Sequence, residues 1–136
     1  MKKIVVLTGA GISAESGLGT FRDAGGLWDN YKIEEVATPE AFERRPSFVL
    51  DFYNIRRRQL LNSSPNIAHI TLNELQEKFN LSIITQNIDD LHERSGGIDV
   101  LHLHGKLRES RSTIDNRVYP IQGSDLNIGD LCDKGG

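Results

Sequence analysis

Three short apolar runs punctuate the chain, at Ile4 to Leu7, Leu81 to Thr85 and Val100 to His104, and each ends in a turn bearing glycine, asparagine or aspartate. Apolar character without alternation predicts strands covered on both faces. Between the first two runs the spacing becomes helical. After Pro46, a helix opened by Ser47 or a neighbour places Val49, Phe52 and Leu60 on one buried face. A second helix is predicted with Ser64 as its cap, Pro65 at its first position, and Ala68, Leu72, Leu75 and Phe79 along one stripe. A shorter one runs from Asp89 to Arg94 and exits at Gly96-Gly97, which supply the positive φ that helix ends commonly use.

Strands alternating with helices predict an α/β fold with a parallel sheet, whose ligands gather at the carboxyl ends of the strands. After Gly105 the pattern weakens, and Ser110 to Gly136 holds few large apolar residues and no convincing fourth strand. Three parallel strands make a poor sheet, so the fold is expected to be incomplete at the C-terminus. An open sheet edge of that kind invites self-association.

Composition narrows the function classes. The 16 basic and 19 acidic residues of the 136 leave a net charge of −3, so no global basic field gathers nucleic acid or an anionic membrane. Met1-Lys2-Lys3 before an apolar run resembles a secretion signal only superficially, because the run passes into Thr8-Gly9 too soon. No stretch approaches the length of a membrane span, and Cys132, the only cysteine, cannot form an internal disulfide. A reducing cytoplasm is the simplest location.

The candidate chemistry lies at the three strand ends. Gly9-Ala10-Gly11-Ile12-Ser13-Ala14 fits G-x-G-x-x-A, in which small residues let the backbone turn tightly and approach a pyrophosphate at a helix N-terminus. A glycine turn that merely packs closely is the alternative. The second strand and ribose-binding acid of an ordinary dinucleotide fold are missing about twenty residues on. Thr85-Gln86-Asn87-Ile88-Asp89 offers amides and a carboxylate suited to a carboxamide and ribose hydroxyls, though Asn87 and Asp89 are equally able to cap the following helix. His102-Leu103-His104-Gly105 places two imidazoles on one strand face, one of them a candidate general base. A packed strand histidine is the stronger rival reading for His102 than for His104. A two-histidine metal site is disfavoured because no cluster of Cys, Asp or Glu completes a tetrahedral set.

Jointly these blocks, with Ser16-Gly17 and Thr20-Phe21-Arg22, resemble the signature motifs of the sirtuins from Lys3 to about residue 112, including Leu27-Trp28 and Ala37-Thr38-Pro39-Glu40-Ala41-Phe42. The resemblance implies a Rossmann-like NAD-binding domain over 1–109, with a helical insertion at about 33–64, and a remnant of the small zinc module over 110–136. It implies NAD as consumed co-substrate, with Gly9, Ala10, Gly11 and Ile12 around its phosphates, Phe21 and Arg22 on a cofactor loop, and Gln86, Asn87 and Asp89 around nicotinamide and its ribose. His104 is implied as catalytic base of a protein-lysine deacylase. In the family reaction the acyl-lysine carbonyl oxygen attacks C1′ of the nicotinamide ribose, and the products are nicotinamide, free lysine and O-acyl-ADP-ribose.

Tyr53 and Arg56, one helical turn apart, are placed to grip a carboxylate together, although Arg56-Arg57-Arg58 also reads as a solvated basic face. The Tyr-x-x-Arg pair resembles that of class III sirtuins, which bind succinyl- or malonyl-lysine, and Ala37 matches the small residue that widens their acyl pocket. Acyl-lysine proteins are the implied substrates. The chain departs from the family at the zinc module, where Ser110 to Thr113 stand near the place of the first Cys-x-x-Cys pair, so no zinc is expected. An inactive remnant that holds NAD or ADP-ribose, and an ADP-ribosyl transferase, are the alternative readings.

Overall fold

The structure, a computed structural model, describes residues 1–19 and 30–135. The three apolar runs form strands β1 (Lys3–Thr8), β2 (Asn80–Thr85) and β3 (Val100–His102), parallel and in the order β1-β2-β3. Their register pairs Lys3 with Asn80, Thr8 with Thr85, and Thr85 with His102, which brings the carboxyl ends of all three strands level. Third-strand pairing ends two residues earlier than the apolar run suggests: Leu103 N–H still donates to Thr85 O, but His104 lies in a turn before Gly105, whose φ is +82°.

Burial alternates along the strands. Leu81, Ile83 and Thr85 are buried, whereas Val5 and Leu7 on β1 are 55% and 64% exposed, and Leu101 and Leu103 are exposed as well. The expectation of cover on both faces is therefore corrected: among the described residues, one face of the sheet is packed and the other stands open.

The helical part consists of α1 (Gly11–Ala14), α2 (Ile33–Val36), α3 (Pro39–Arg44), α4 (Pro46–Leu61), α5 (Ile67–Leu75) and α6 (Leu91–Arg94). Thr38 caps α3 through its hydroxyl, which accepts from Ala41 N–H at 3.1 Å, with Pro39 at the first position. Val49, Phe52 and Leu60 of α4 are buried as the spacing predicts. Leu60, Leu91 and Leu107 form a core cluster that Leu18, Tyr53 and Ile88 pack against. Burial of each such leucine contributes about 1.5–3 kcal/mol.

The second predicted helix starts later than expected. Asn66, not Ser64, caps α5: its Oδ1 accepts from Ala68 N–H at 2.9 Å, and its own N–H donates to His69 Nδ1 at 3.1 Å. That reciprocal pair outcompetes the Ser64-Pro65 start. His69 is the fully buried residue of α5, while Ala68 is exposed and Leu72 half-buried beside an open apolar groove that Val6, Ile12 and Ile67 also line.

Past β3 the chain forms a small antiparallel pair, β4 (Glu109–Arg111) and β5 (Val118–Pro120), joined through Asn116 at φ +59°. Arg57 ties this segment to α4. It is 4% exposed and donates to Leu107 O (2.6 Å), Asn54 Oδ1 (2.6 Å) and Ser124 O (2.9 Å). Buried Asn54 in turn donates to Leu126 O and accepts from Leu126 N–H. Arg57 thus departs from the solvated-face reading, whereas Arg58 fits it, meeting Asp125 at 2.9 Å in solvent. Among the described residues no helix is long and apolar enough to cross a membrane, and no group of three or more His, Cys, Asp or Glu is placed to hold a metal ion.

Candidate functional site

Level strand ends gather the three motifs along one rim of the sheet. After β1 the backbone turns through Gly9 and Ala10 into α1, a single helical turn of four residues. So short a helix does not hold itself, because nucleation costs more than one turn returns. Polar side chains from elsewhere hold it instead. Asn87 Nδ2 donates to Gly9 O at 2.9 Å and to Ser13 Oγ at 3.3 Å. Ser13 Oγ donates to Asp89 Oδ2 at 2.8 Å, and Asn66 Nδ2 donates to Ile12 O at 2.7 Å and Ser16 Oγ at 3.0 Å. Asp89 also accepts from Leu91 N–H through its other oxygen, so its carboxylate ties the start of α6 to the loop. Asn87, Asp89 and Ser13 are all buried.

Gln86 lies at the surface of this rim, its N–H bonded to Thr8 O. A Cβ built on Gly9 would approach Gln86 Oε1 to 3.4 Å, while one on Gly11 would meet nothing within 4 Å. Nothing in the described protein therefore requires glycine at Gly11, and the space above it is open.

The two histidines of the third motif differ in setting. His102 has both ring nitrogens against acceptors, Nδ1 at 2.9 Å from Asn87 O and Nε2 at 2.8 Å from Glu93 Oε1. Two acceptors suit the doubly protonated ring, and the Glu93 hydrogen bond, with help from Asn87 O, pushes the His102 pKa above the usual imidazole range against the opposing effect of burial. This is the packed, satisfied strand histidine. His104 is exposed beyond it.

Behind the rim stand two more buried histidines. His92 Nε2 is 2.9 Å from Thr8 Oγ1, and the rings of His69 and His92 meet edge to face with centroids 5.1 Å apart. Burial holds both below the usual imidazole range.

On α4, Tyr53 and Arg56 are half-buried side by side, the Arg56 guanidinium lying 5.8 Å and 5.9 Å from the ring centres of Phe52 and Tyr53. Burial raises the Tyr53 phenol above its ordinary value and lowers Arg56, while the Tyr53 and Asp89 charges attract the guanidinium. Tyr53 packs, together with Ile88 of the second motif, against the Leu60, Leu91 and Leu107 cluster.

A profile of the Sir2 family matches residues 9–126, which contain all three strand-end motifs and the α4 pair. The chain belongs to the Sir2 family. A protein of Helicobacter pylori named NAD-dependent protein deacylase is 58% identical over 133 residues, covering 97% of this chain and 56% of that protein. One of the same name from Bacteroides thetaiotaomicron is 58% identical over 115 residues, covering 85% of this chain and 49% of that one. Among solved structures, a Sir2 homologue in complex with NAD aligns with a TM-score of 0.87 at 45% identity, covering 98% of this chain and 53% of the other. A Sir2 variant with a deacetylated p53 peptide and 3′-O-acetyl-ADP-ribose aligns at 0.72 and 34% identity, covering 88% of this chain and 48% of the other. The chain spans about half the length of the relatives it matches.

Of the residues that the sequence singles out, the fold gathers Gly9, Ala10, Gly11, Ile12, Gln86, Asn87 and Asp89 on one rim. Phe21 and Arg22 lie outside the described residues. Sequence reasoning missed the parts played by Ser13 and Asn66. The Asn66-x-x-His69 spacing, which forms a capping pair, was the available signal for the second.

The His102 setting has a pH consequence. A group whose pKa is raised by folding adds stability below its unfolded value, near 6.5 for histidine, and loses that contribution as pH rises through the folded value. Glu93→Gln removes the main cause of the rise. The melting-temperature gap between wild type and this variant is expected to widen as pH is lowered from 8 to 6, and a gap that stays constant or narrows contradicts the charged His102–Glu93 pair.

Proposed function

We propose that this chain acts in NAD-dependent protein-lysine deacylation, with a preference for acyl groups that end in a carboxylate. The observation that carries the reading is the rim itself, where a glycine turn, a buried Asn87–Ser13–Asp89 chain and His104 meet at level strand ends. NAD-dependent deacylase is the name its relatives bear, and NAD is the ligand of a solved homologue.

The residues present fit NAD. Open space over Gly11 admits a phosphate close to the backbone. In this reading Gly9, Ala10, Gly11 and Ile12 embrace the diphosphate, joined by Phe21 and Arg22. Gln86, Asn87 and Asp89 orient the nicotinamide and its ribose. The co-substrate supplies a C1′ centre that parts from nicotinamide when the acyl oxygen of lysine attacks. His104 then withdraws a proton from a ribose hydroxyl, a role that its exposure at the rim permits.

Tyr53 and Arg56 read the acyl group. Their partial burial strengthens a charge-assisted bond to a carboxylate that an acetyl group cannot make. Division into a Rossmann-like body over 1–109 and a small module over 110–136 goes with this reading. So do acyl-lysine proteins as substrates, the cytoplasm as location, no zinc requirement, and self-association through an open sheet edge.

The test incubates the chain with NAD and matched succinyl- and acetyl-lysine peptides and follows nicotinamide release and peptide mass. Release is expected, faster with succinyl. Arg56→Met is expected to lower the succinyl rate about 10- to 100-fold while sparing the acetyl rate, since the site loses a bond only one substrate makes. A well-folded sample that releases nicotinamide with neither peptide overturns the enzymatic reading, and equal rates on both overturn the acyl assignment alone.

A further inference from the structure

We infer that Asn66 is a positioning residue for the cofactor loop, the third of three clamps that give α1 its shape. This rests on the reading of the Gly9 to Ile12 turn as the phosphate-binding loop.

The three clamps come from different parts of the chain and act on different atoms. Asn87 holds the entry of the turn at Gly9 O, Asp89 holds its middle at Ser13 Oγ, and Asn66 holds the far side at Ile12 O and Ser16 Oγ. In this single turn the Ser13 and Ala14 carbonyls accept from the Ser16, Leu18 and Gly17 N–H groups, whereas Ile12 O accepts from a side chain. The Asn66 amide supplies the donor. Its orientation is fixed from three directions: Oδ1 is committed to Ala68 N–H, Nδ2 to the loop, and its backbone N–H to His69 Nδ1.

His69 makes that arrangement rigid. It is fully buried, and because its Nδ1 accepts, the neutral ring carries its proton on Nε2. Its ring is backed by His92, which in turn holds Thr8, the residue from which the loop departs. Burial lowers both pKa values, with His102 reinforcing it at His92, and outweighs the opposing charges of Asp89 and Glu93, so both rings stay neutral. One continuous set of contacts thus runs from Thr8 through His92, His69 and Asn66 back to Ile12, closing around the underside of the loop.

Asn66→Asp separates positioning from capping. Aspartate caps a helix as well as asparagine and keeps the acceptor for Ala68 N–H and the backbone bond to His69, but it removes both donors to the loop. The chain, wild type and variant, is titrated with ADP-ribose and with NAD by calorimetry, and melting temperatures are compared. The variant is expected to bind ADP-ribose about tenfold more weakly, roughly one hydrogen bond's net worth, and to melt only a few degrees lower, since the same bonds are made in the unliganded chain. Amide exchange at Ser13 to Leu18 is expected to quicken in the variant. Asn66→Ser, which also caps without donating to Ile12 O, is expected to act in the same direction, and Ser16→Ala, which removes one of the two acceptors, to have a smaller effect. Unchanged ADP-ribose affinity in a folded Asn66→Asp or Asn66→Ser variant overturns the inference alone. A wild-type chain that binds neither ligand overturns the functional reading and this inference together.

Discussion

His104→Ala is expected to lower nicotinamide-coupled deacylation by about 10²- to 10⁴-fold, the range that a positioned general base contributes. The expectation follows from where the side chain sits. His104 is exposed just past the end of β3, in a turn whose next residue, Gly105, has φ +82°, so its removal opens no cavity in the core. Melting temperature should therefore stay near that of wild type while product formation collapses, as followed by peptide mass and free nicotinamide. His102→Ala makes the contrast. His102 bonds Asn87 O and Glu93 Oε1, so its loss slackens the rim itself and lowers stability together with activity. A His104→Ala chain that keeps its rate within about threefold of wild type would remove His104 from the role of base, since so small a change lies far below what general-base loss costs.

Arg57→Met is expected to destabilise the fold by about 2–4 kcal/mol, measured as a shift in urea unfolding, because it leaves buried acceptors without a donor. Methionine keeps most of the aliphatic bulk, which isolates the polar loss. The guanidinium serves Leu107 O, Ser124 O and Asn54 Oδ1 at once, and Asn54 carries the connection on to Leu126. Cutting it loosens the segment past β3 from α4. Arg58→Met, one residue along, removes only a solvent-exposed pair with Asp125 and is expected to cost no more than about 1 kcal/mol. Equal effects at the two positions would show that Arg57 does not carry the connection.

The contrast between these adjacent arginines shows where the sequence is legible and where it is not. Strand positions were readable because apolar runs are local, and the parallel order followed from their alternation with helices. Strand ends then located the candidate site without any knowledge of contacts. Arg57 was not readable as a buried residue, because its acceptors are backbone carbonyls at Leu107 and Ser124, which no side-chain pattern marks. The start of α5 failed for a related reason. Ser64-Pro65 is a good local start signal, yet Asn66 wins by pairing with His69 three residues on and with Ile12 across the fold. The small β4–β5 pair escaped because three-residue strands carry too little periodicity to count. Asp89 accepts from Leu91 N–H at the start of α6 and also clamps Ser13, a second task that the local sequence does not mark.

The pairing of β1 with β2 reaches from Lys3 opposite Asn80 to Thr8 opposite Thr85, across nearly all of the helical part of the chain. Bringing such distant segments together costs chain entropy before the first ladder bond forms, whereas α4 and α5 draw on neighbours in sequence. By that difference in contact separation, the local helices are expected to form first and the central strand pair afterwards. The turn after β1 is clamped by Asn66 ahead of β2 and by Asn87 and Asp89 after it, so it is expected to take its shape only when both halves of the chain have met.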